Sequence, residues 1–114
     1  MLNIDLEYKR GILFLRLDGI LDKNTSFILK DAIKKIVSKA GIKYLLINFE
    51  HLYKIDEYGI SSIIDSYNKY LKNNGKLMVC GYNNEIRSNL EKTRFKDYVL
   101  ELNNELSAFS LINI

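Results

Sequence analysis

Apolar and polar residues alternate at the start of the chain, with Leu2, Ile4, Leu6 and Tyr8 interleaved with Asn3, Asp5, Glu7 and Lys9. Such period-two alternation predicts a strand with one wet face, near a sheet edge. Lys9-Arg10-Gly11 offers a turn, and Ile12-Leu13-Phe14-Leu15 opens a more continuously apolar strand ending near Leu17. These two runs predict an antiparallel hairpin. After Asp18-Gly19 and the polar break Asp22-Lys23-Asn24-Thr25, Leu29, Ala32, Ile33, Ile36, Val37 and Ala40 recur at spacings of three and four. That spacing predicts an amphipathic helix stopped by Gly41, with Lys30, Lys34, Lys35 and Lys39 on its solvated face. Tyr44-Leu45-Leu46-Ile47-Asn48-Phe49 is apolar on both faces and suits a central strand.

Helical spacing returns at Ile60, Ile63, Ile64, Tyr67 and Leu71, and Asn73-Asn74-Gly75 is predicted to end that helix. Lys76 to Cys80 predicts a buried strand, Ile86 and Leu90 a short helix, Tyr98-Val99-Leu100 a brief last strand, and Leu106, Phe109 and Ile112 a closing helix. The order β-β-α-β-α-β-α-β-α predicts an α/β domain. Its sheet is mixed and mostly parallel, with right-handed crossovers, an antiparallel N-terminal strand and four helices.

The second of these helices opens with an unusual junction, Tyr53-Lys54-Ile55-Asp56-Glu57-Tyr58-Gly59-Ile60-Ser61-Ser62. Asp56 suits an N-cap, with Glu57, Tyr58 and Gly59 as the first turn. Acids at a helix start are favoured by the macrodipole by ~0.3–1 kcal/mol each. Gly59 weakens a helix by about 1 kcal/mol relative to alanine. Either the protein's own chain packs closely there or a partner approaches the backbone.

Composition narrows the chemistry. A length of 114 residues predicts one domain spanning 1–114, and the 47% hydrophobic and 27% charged content is that of an ordinary globular protein. The net charge of +3 is small and the lysines lie among acids, so nothing favours nucleic acid. No run approaches the ~20 apolar residues of a membrane helix and no basic-then-apolar leader opens the chain, so the expectation is a cytoplasmic protein without membrane insertion. Cys80, the one cysteine, reads as a buried structural thiol, and His51, the one histidine, as a loop residue. No metal or cofactor is expected.

Enzyme signatures are missing as well. Gly11, Gly19 and Gly41 stand alone, which excludes the glycine-rich phosphate loops. None of Ser26, Ser38, Ser61, Ser62, Ser66, Ser88, Ser107 and Ser110 sits in a G-x-S-x-G elbow. Asp22, Asp56 and Glu57 could form an acid cluster for a divalent cation in a small metal-dependent enzyme, if the two helix entrances adjoin. Adjacent Asp56 and Glu57 point in different directions, which suits shared chemistry poorly.

Nearly the whole chain resembles a STAS domain of the bacterial anti-sigma-factor antagonists. The resemblance rests on the hairpin, on LDGILDKNT (Leu17 to Thr25), on YLLINFEHLYKIDEYGI (Tyr44 to Ile60) and on NNGKLMVCGYNNEIRSNLEKTRF (Asn73 to Phe95). In the family the second of these regions reads as an apolar strand followed by I/M-D-S-S-G-L. The resemblance implies a non-enzymatic partner-switching module. Its partner is an anti-sigma factor that is also a GHKL-type serine kinase, which phosphorylates the serine after the motif aspartate. Here the aspartate matches Asp56 and the glycine Gly59, the acceptor position falls on Glu57, and the next serine falls on Tyr58. The family's G-x-L-D segment matches Gly19, Leu21 and Asp22. The implied partner-binding residues are Asp22, Lys23, Asn24, Asp56, Glu57, Tyr58, Gly59 and Ile60. Glu57 cannot accept phosphate as serine does. Alternatives are an antagonist phosphorylated at Ser61 or Ser62, and a STAS subunit regulating a membrane transporter ATPase. Tyr58 exposed on such a face could also support weak self-association.

Overall fold

The computed structural model describes residues 1–71 and 75–112, with 38–40 described by their backbone alone. The alternating first segment forms β1 (Leu2–Lys9), which turns back into β2 (Ile12–Leu21) as an antiparallel pair. Beside β2 lie β3 (Tyr44–Ile55), β4 (Lys76–Cys80) and the two-residue β5 (Leu100–Glu101), each parallel to its predecessor. The sheet order is β1-β2-β3-β4-β5. When spatial and sequence order coincide, crossovers of one hand lay their helices on one face.

Accordingly α1 (Ser26–Ala40), α2 (Glu57–Ser66) and α3 (Asn84–Glu91) cover the face carrying Leu13, Leu15, Leu45, Ile47, Leu77 and Val79. The opposite face carries Ile12, Phe14, Leu46, Met78 and Cys80, and α4 (Ser107–Ile112) covers it through Ala108 and Phe109. Cys80 is 2% exposed, as its apolar run predicts. Gly41 ends α1 in the left-handed region at φ 66°, donating its N–H to the Val37 carbonyl at 3.1 Å. A side chain is disfavoured at such a φ. The element order and strand directions are those read from the sequence.

Four local expectations need correction. The third strand does not stop at Phe49 but runs on to Ile55, so His51 belongs to a strand and not to a loop. Its last residues are buried only at Phe49, Leu52 and Ile55, a period of three. Two register shifts against β2, between Arg16 and Asp18 and between Gly19 and Ile20, produce that period and hide the strand from a period-two reading. β1 lacks the expected continuous buried face, because Leu6 and Tyr8 are 38% and 61% exposed. The last strand is Leu100–Glu101 rather than 98–100. In the closing segment Phe109 and Ile112 pack on the sheet as expected, together with the fully buried Ala108, whereas Leu106 precedes the helix and points to solvent.

The predicted second helix continues past Ser66 as a π-helical turn, Tyr67–Leu71, with Tyr67 edge-on to Tyr98 at 5.8 Å. The predicted stop at Asn73-Asn74, and the side chains of Lys39 and Ala40, lie outside the described residues.

Candidate functional site

Parallel neighbouring strands deliver their C-terminal ends to the same edge of a sheet, the usual place for a site in α/β folds. Here β2 and β3 end side by side, Leu21 beside Ile55; β3 enters α2 through Asp56 alone, and β2 reaches α1 through the short loop 22–25. The two bulges in their pairing carry the strands this far, so the α1 and α2 entrances adjoin. The Asp56 N–H donates to the Leu21 carbonyl at 3.2 Å and closes the gap between them.

Asp22 organises the first entrance. Its Oδ1 accepts from the backbone N–H of Asn24 at 2.9 Å and of Thr25 at 3.1 Å. The buried Thr25 hydroxyl donates to the Ile20 carbonyl at 2.8 Å and accepts the Asp22 N–H at 2.9 Å. Short polar side chains that bond their own backbone two or three residues on are the usual means of fixing such a turn.

Asp56 does two jobs. Its Oδ1 accepts the Gly59 N–H at 2.9 Å, which is the N-cap bond expected from the sequence, and its Oδ2 accepts the Lys23 N–H at 3.0 Å. One carboxylate therefore caps α2 and holds the α1 loop against it. The Lys23 ammonium then lies over the Tyr58 ring, 5.6 Å from its centroid. Cation–π contacts of this kind are worth about 0.5–1 kcal/mol at exposed sites.

The question posed by Gly59 has an internal answer. A Cβ there would stand 2.5 Å from the Leu21 carbonyl oxygen and 2.8 Å from Leu21 Cγ. Glycine lets the first turn of α2 lie directly on the end of β2, and no partner is needed to explain it. Gly59 and Ile60 are both buried, so neither presents a side chain to a partner. Ser62 is fully buried, with its hydroxyl donating to the Gly59 carbonyl at 2.6 Å. It is therefore removed as an alternative phosphoacceptor, while Ser61 stays exposed.

The surface left at this end consists of Lys23, Asn24, Glu57 and Tyr58, all exposed, with Tyr58 at 48%. Asp22 and Asp56 are half-buried and face inward onto backbone donors. The three acids do adjoin, yet two of their carboxylates are engaged by backbone N–H groups. Among the described residues no three His, Cys, Asp or Glu side chains are placed to hold a metal ion.

Sequence reading missed Phe27, which is 65% exposed in the first turn of α1. The signal was available. Phe27 falls two positions before Leu29, on the helix face opposite the Leu29–Ile33–Val37 stripe, where an aromatic has no core to enter. Tyr53, 66% exposed near the end of β3, was hidden by the bulged pairing.

The STAS domain family model matches residues 3–108. The chain belongs to the STAS domain family. STAS domains of this type are non-catalytic regulatory modules. An anti-sigma F factor antagonist of Paenibacillus polymyxa is 23% identical, over 99% of this chain and 97% of its own length. The structure of an anti-sigma factor antagonist from Mycobacterium paratuberculosis superposes with a TM-score of 0.87 at 18% identity, covering 100% of this chain and 96% of that one. The phosphorylated form of the Bacillus cell fate determinant SpoIIAA superposes with a TM-score of 0.73 at 17% identity, covering 96% and 99%. No helix among the described residues is long and apolar enough to cross a membrane.

Proposed function

We propose that this STAS domain is a cytoplasmic protein-binding module of the anti-sigma-factor antagonist type, working through the paired entrances of α1 and α2. Its partner is an anti-sigma factor with GHKL-type serine kinase chemistry, and Glu57 occupies the position that such a kinase would modify. The observation that carries this reading is the Asp56 carboxylate. It ties Lys23 to the cap of α2 and leaves Glu57 and Tyr58 on the exposed side of one braced surface.

Chemistry explains what Glu57 does to a switch. A phosphoserine carries about −1.5 to −2 charges and three acceptor oxygens, whereas a glutamate carries one charge, so Glu57 reproduces the modified state only in part and cannot be reset. Tyr58 adds a broad amphipathic ring of a kind enriched where binding energy concentrates. The module then binds without a phosphorylation cycle at position 57.

The test is kinase incubation followed by intact-mass measurement. The wild-type chain with the partner kinase and ATP is expected to gain no phosphate, and Glu57→Ser is expected to gain one. A phosphate on wild type, mapped to the exposed Ser61, would replace this reading with an acceptor displaced by one helical turn. Equal affinity of the wild type and Tyr58→Ala for the partner would remove the surface from the account.

A further inference from the structure

A strand at the end of a sheet presents a row of unpaired N–H and C=O groups, which proteins blunt with proline, bulges, short length or charge. β1 is such a strand, and it has little of that protection. It is eight residues long, pairs with β2 without a register shift from Leu2↔Gly19 to Lys9↔Ile12, and the chain contains no proline. Its two acids are drawn across the sheet face to one guanidinium, Arg16, with Asp5 at 3.0 Å and Glu7 at 2.9 Å. On its other face Leu6 and Tyr8 stay exposed. Tyr8 also lines an apolar groove of about 290 Å³ with Leu13, Ile36 and Ile42. Among the described residues no strand covers the outer edge of β1.

We infer that this edge is a self-association surface, on which β1 of a second copy of this chain pairs antiparallel about a two-fold axis at Glu7. The stretch Asp5-Leu6-Glu7-Tyr8-Lys9 is complementary to its own reverse. Laid antiparallel on itself, it sets Asp5 opposite Lys9 of the second copy, Leu6 opposite Tyr8, and Glu7 opposite Glu7. Directly opposed residues share a face, so the two Leu6–Tyr8 pairs lie on the helix-covered side and the charge pairs on the other.

The charge match occurs twice. Lys9 makes no ion pair among the described residues. Asp5 is 72% exposed and engages Arg16 through Oδ2 only, which leaves a carboxylate oxygen for a second cation. The central Glu7 pair is the one unfavourable contact, and the Arg16 held by each Glu7 offsets it.

The pairing segment lies beside Ile12 and Phe14, at the start of β2, whereas the Asp22–Asp56 entrance lies beyond Leu21, at its other end. The dimer therefore holds two copies of the candidate partner-binding face, both uncovered. It does not depend on the function proposed above.

Sedimentation equilibrium from micromolar to millimolar protein tests the inference. The expected result is a reversible monomer–dimer equilibrium, with mass rising from 13.3 kDa toward twice that value. Lys9→Asp turns two attractive cross-strand pairs into repulsive ones and should weaken dimerisation by about tenfold or more. The double exchange Asp5→Lys with Lys9→Asp restores complementarity and should recover most of the loss, and Glu7→Gln should tighten the dimer. All of these positions are exposed, and far-ultraviolet circular dichroism checks that each variant is folded. A wild type that stays monomeric throughout, a double exchange as weak as Lys9→Asp, or a dimer abolished by Tyr58→Ala instead would each overturn the assignment.

Discussion

Two residues at the α2 entrance show how much depends on single atoms. The only space at Gly59 is that of a hydrogen, because Leu21 presents a backbone oxygen 2.5 Å from where a Cβ would sit. Alanine is the better helix former by about 1 kcal/mol, but overpacking against backbone costs ~1–3 kcal/mol and outweighs it. Gly59→Ala is therefore expected to lower the urea midpoint of unfolding and to displace the α1 loop; an unchanged midpoint would contradict the close approach. Asp56→Ala removes the acceptor of both the Gly59 and the Lys23 N–H groups. Loss of an N-cap alone costs about 1 kcal/mol. Thermal melts of Asp56→Ala should show at least that loss, while Asp56→Asn should retain most of the stability because its amide oxygen can still cap the helix.

At the level of elements, the segment after β5 is held to the sheet by a small number of strong ties. Glu105 receives two 2.8 Å hydrogen bonds from the Arg16 guanidinium and a third, also 2.8 Å, from the Asn48 amide. Below it Ala108 and Phe109 cover Phe14 and Cys80, with Phe14 and Phe109 ring centroids 5.6 Å apart. A six-residue helix such as α4 has little stability of its own and depends on this docking. The Cys80 thiol is pushed up to about 11, first by burial and then by Glu105 and Glu50, so it stays protonated and unreactive while α4 covers it. Glu105→Gln is expected to raise the rate of Cys80 modification by a neutral thiol reagent several-fold; an unchanged rate would mean that apolar packing alone holds the segment.

The same tie has a defined pH dependence. The Arg16 hydrogen bonds, and after them Asn48, hold the Glu105 carboxyl below the usual range, against the opposing effect of burial. A depressed native pKa stabilises the fold above the unfolded value of about 4.3, and that contribution is lost as pH falls through the lower native value. Thermal melts of wild type should therefore exceed those of Glu105→Gln by a constant margin above pH 5 or so, with the margin closing in more acidic buffer.

For the whole molecule, the architecture was legible because each crossover segment keeps a regular period. Leu29, Ile33 and Val37 announce α1, and Leu45, Leu46 and Ile47 announce a doubly covered strand. What escaped was wherever tertiary contact overrides period. The end of β3 is bulged, Leu6 and Tyr8 reach beyond the cover of α1, and Gly59 answers to a carbonyl supplied by a strand far away in sequence. The capping role of Asp56 was visible from local spacing, but its second bond to Lys23 was not, since it joins residues 33 positions apart. Identity at position 57 was legible and its meaning was not, because only a partner gives a charge at that place a consequence.

On the function proposed here, the braced Lys23–Tyr58 surface binds a protein partner without a phosphorylation step at position 57. A calorimetric titration of the proposed partner, an anti-sigma factor with kinase activity, with and without ATP, into wild type and into Lys23→Ala/Tyr58→Ala tests this. Wild type is expected to bind with the same affinity in both nucleotide conditions, and the double variant to lose about tenfold or more, as when a hot-spot ring is removed. Wild-type binding that collapses after incubation with ATP, or a double variant that binds as tightly as wild type, would contradict it.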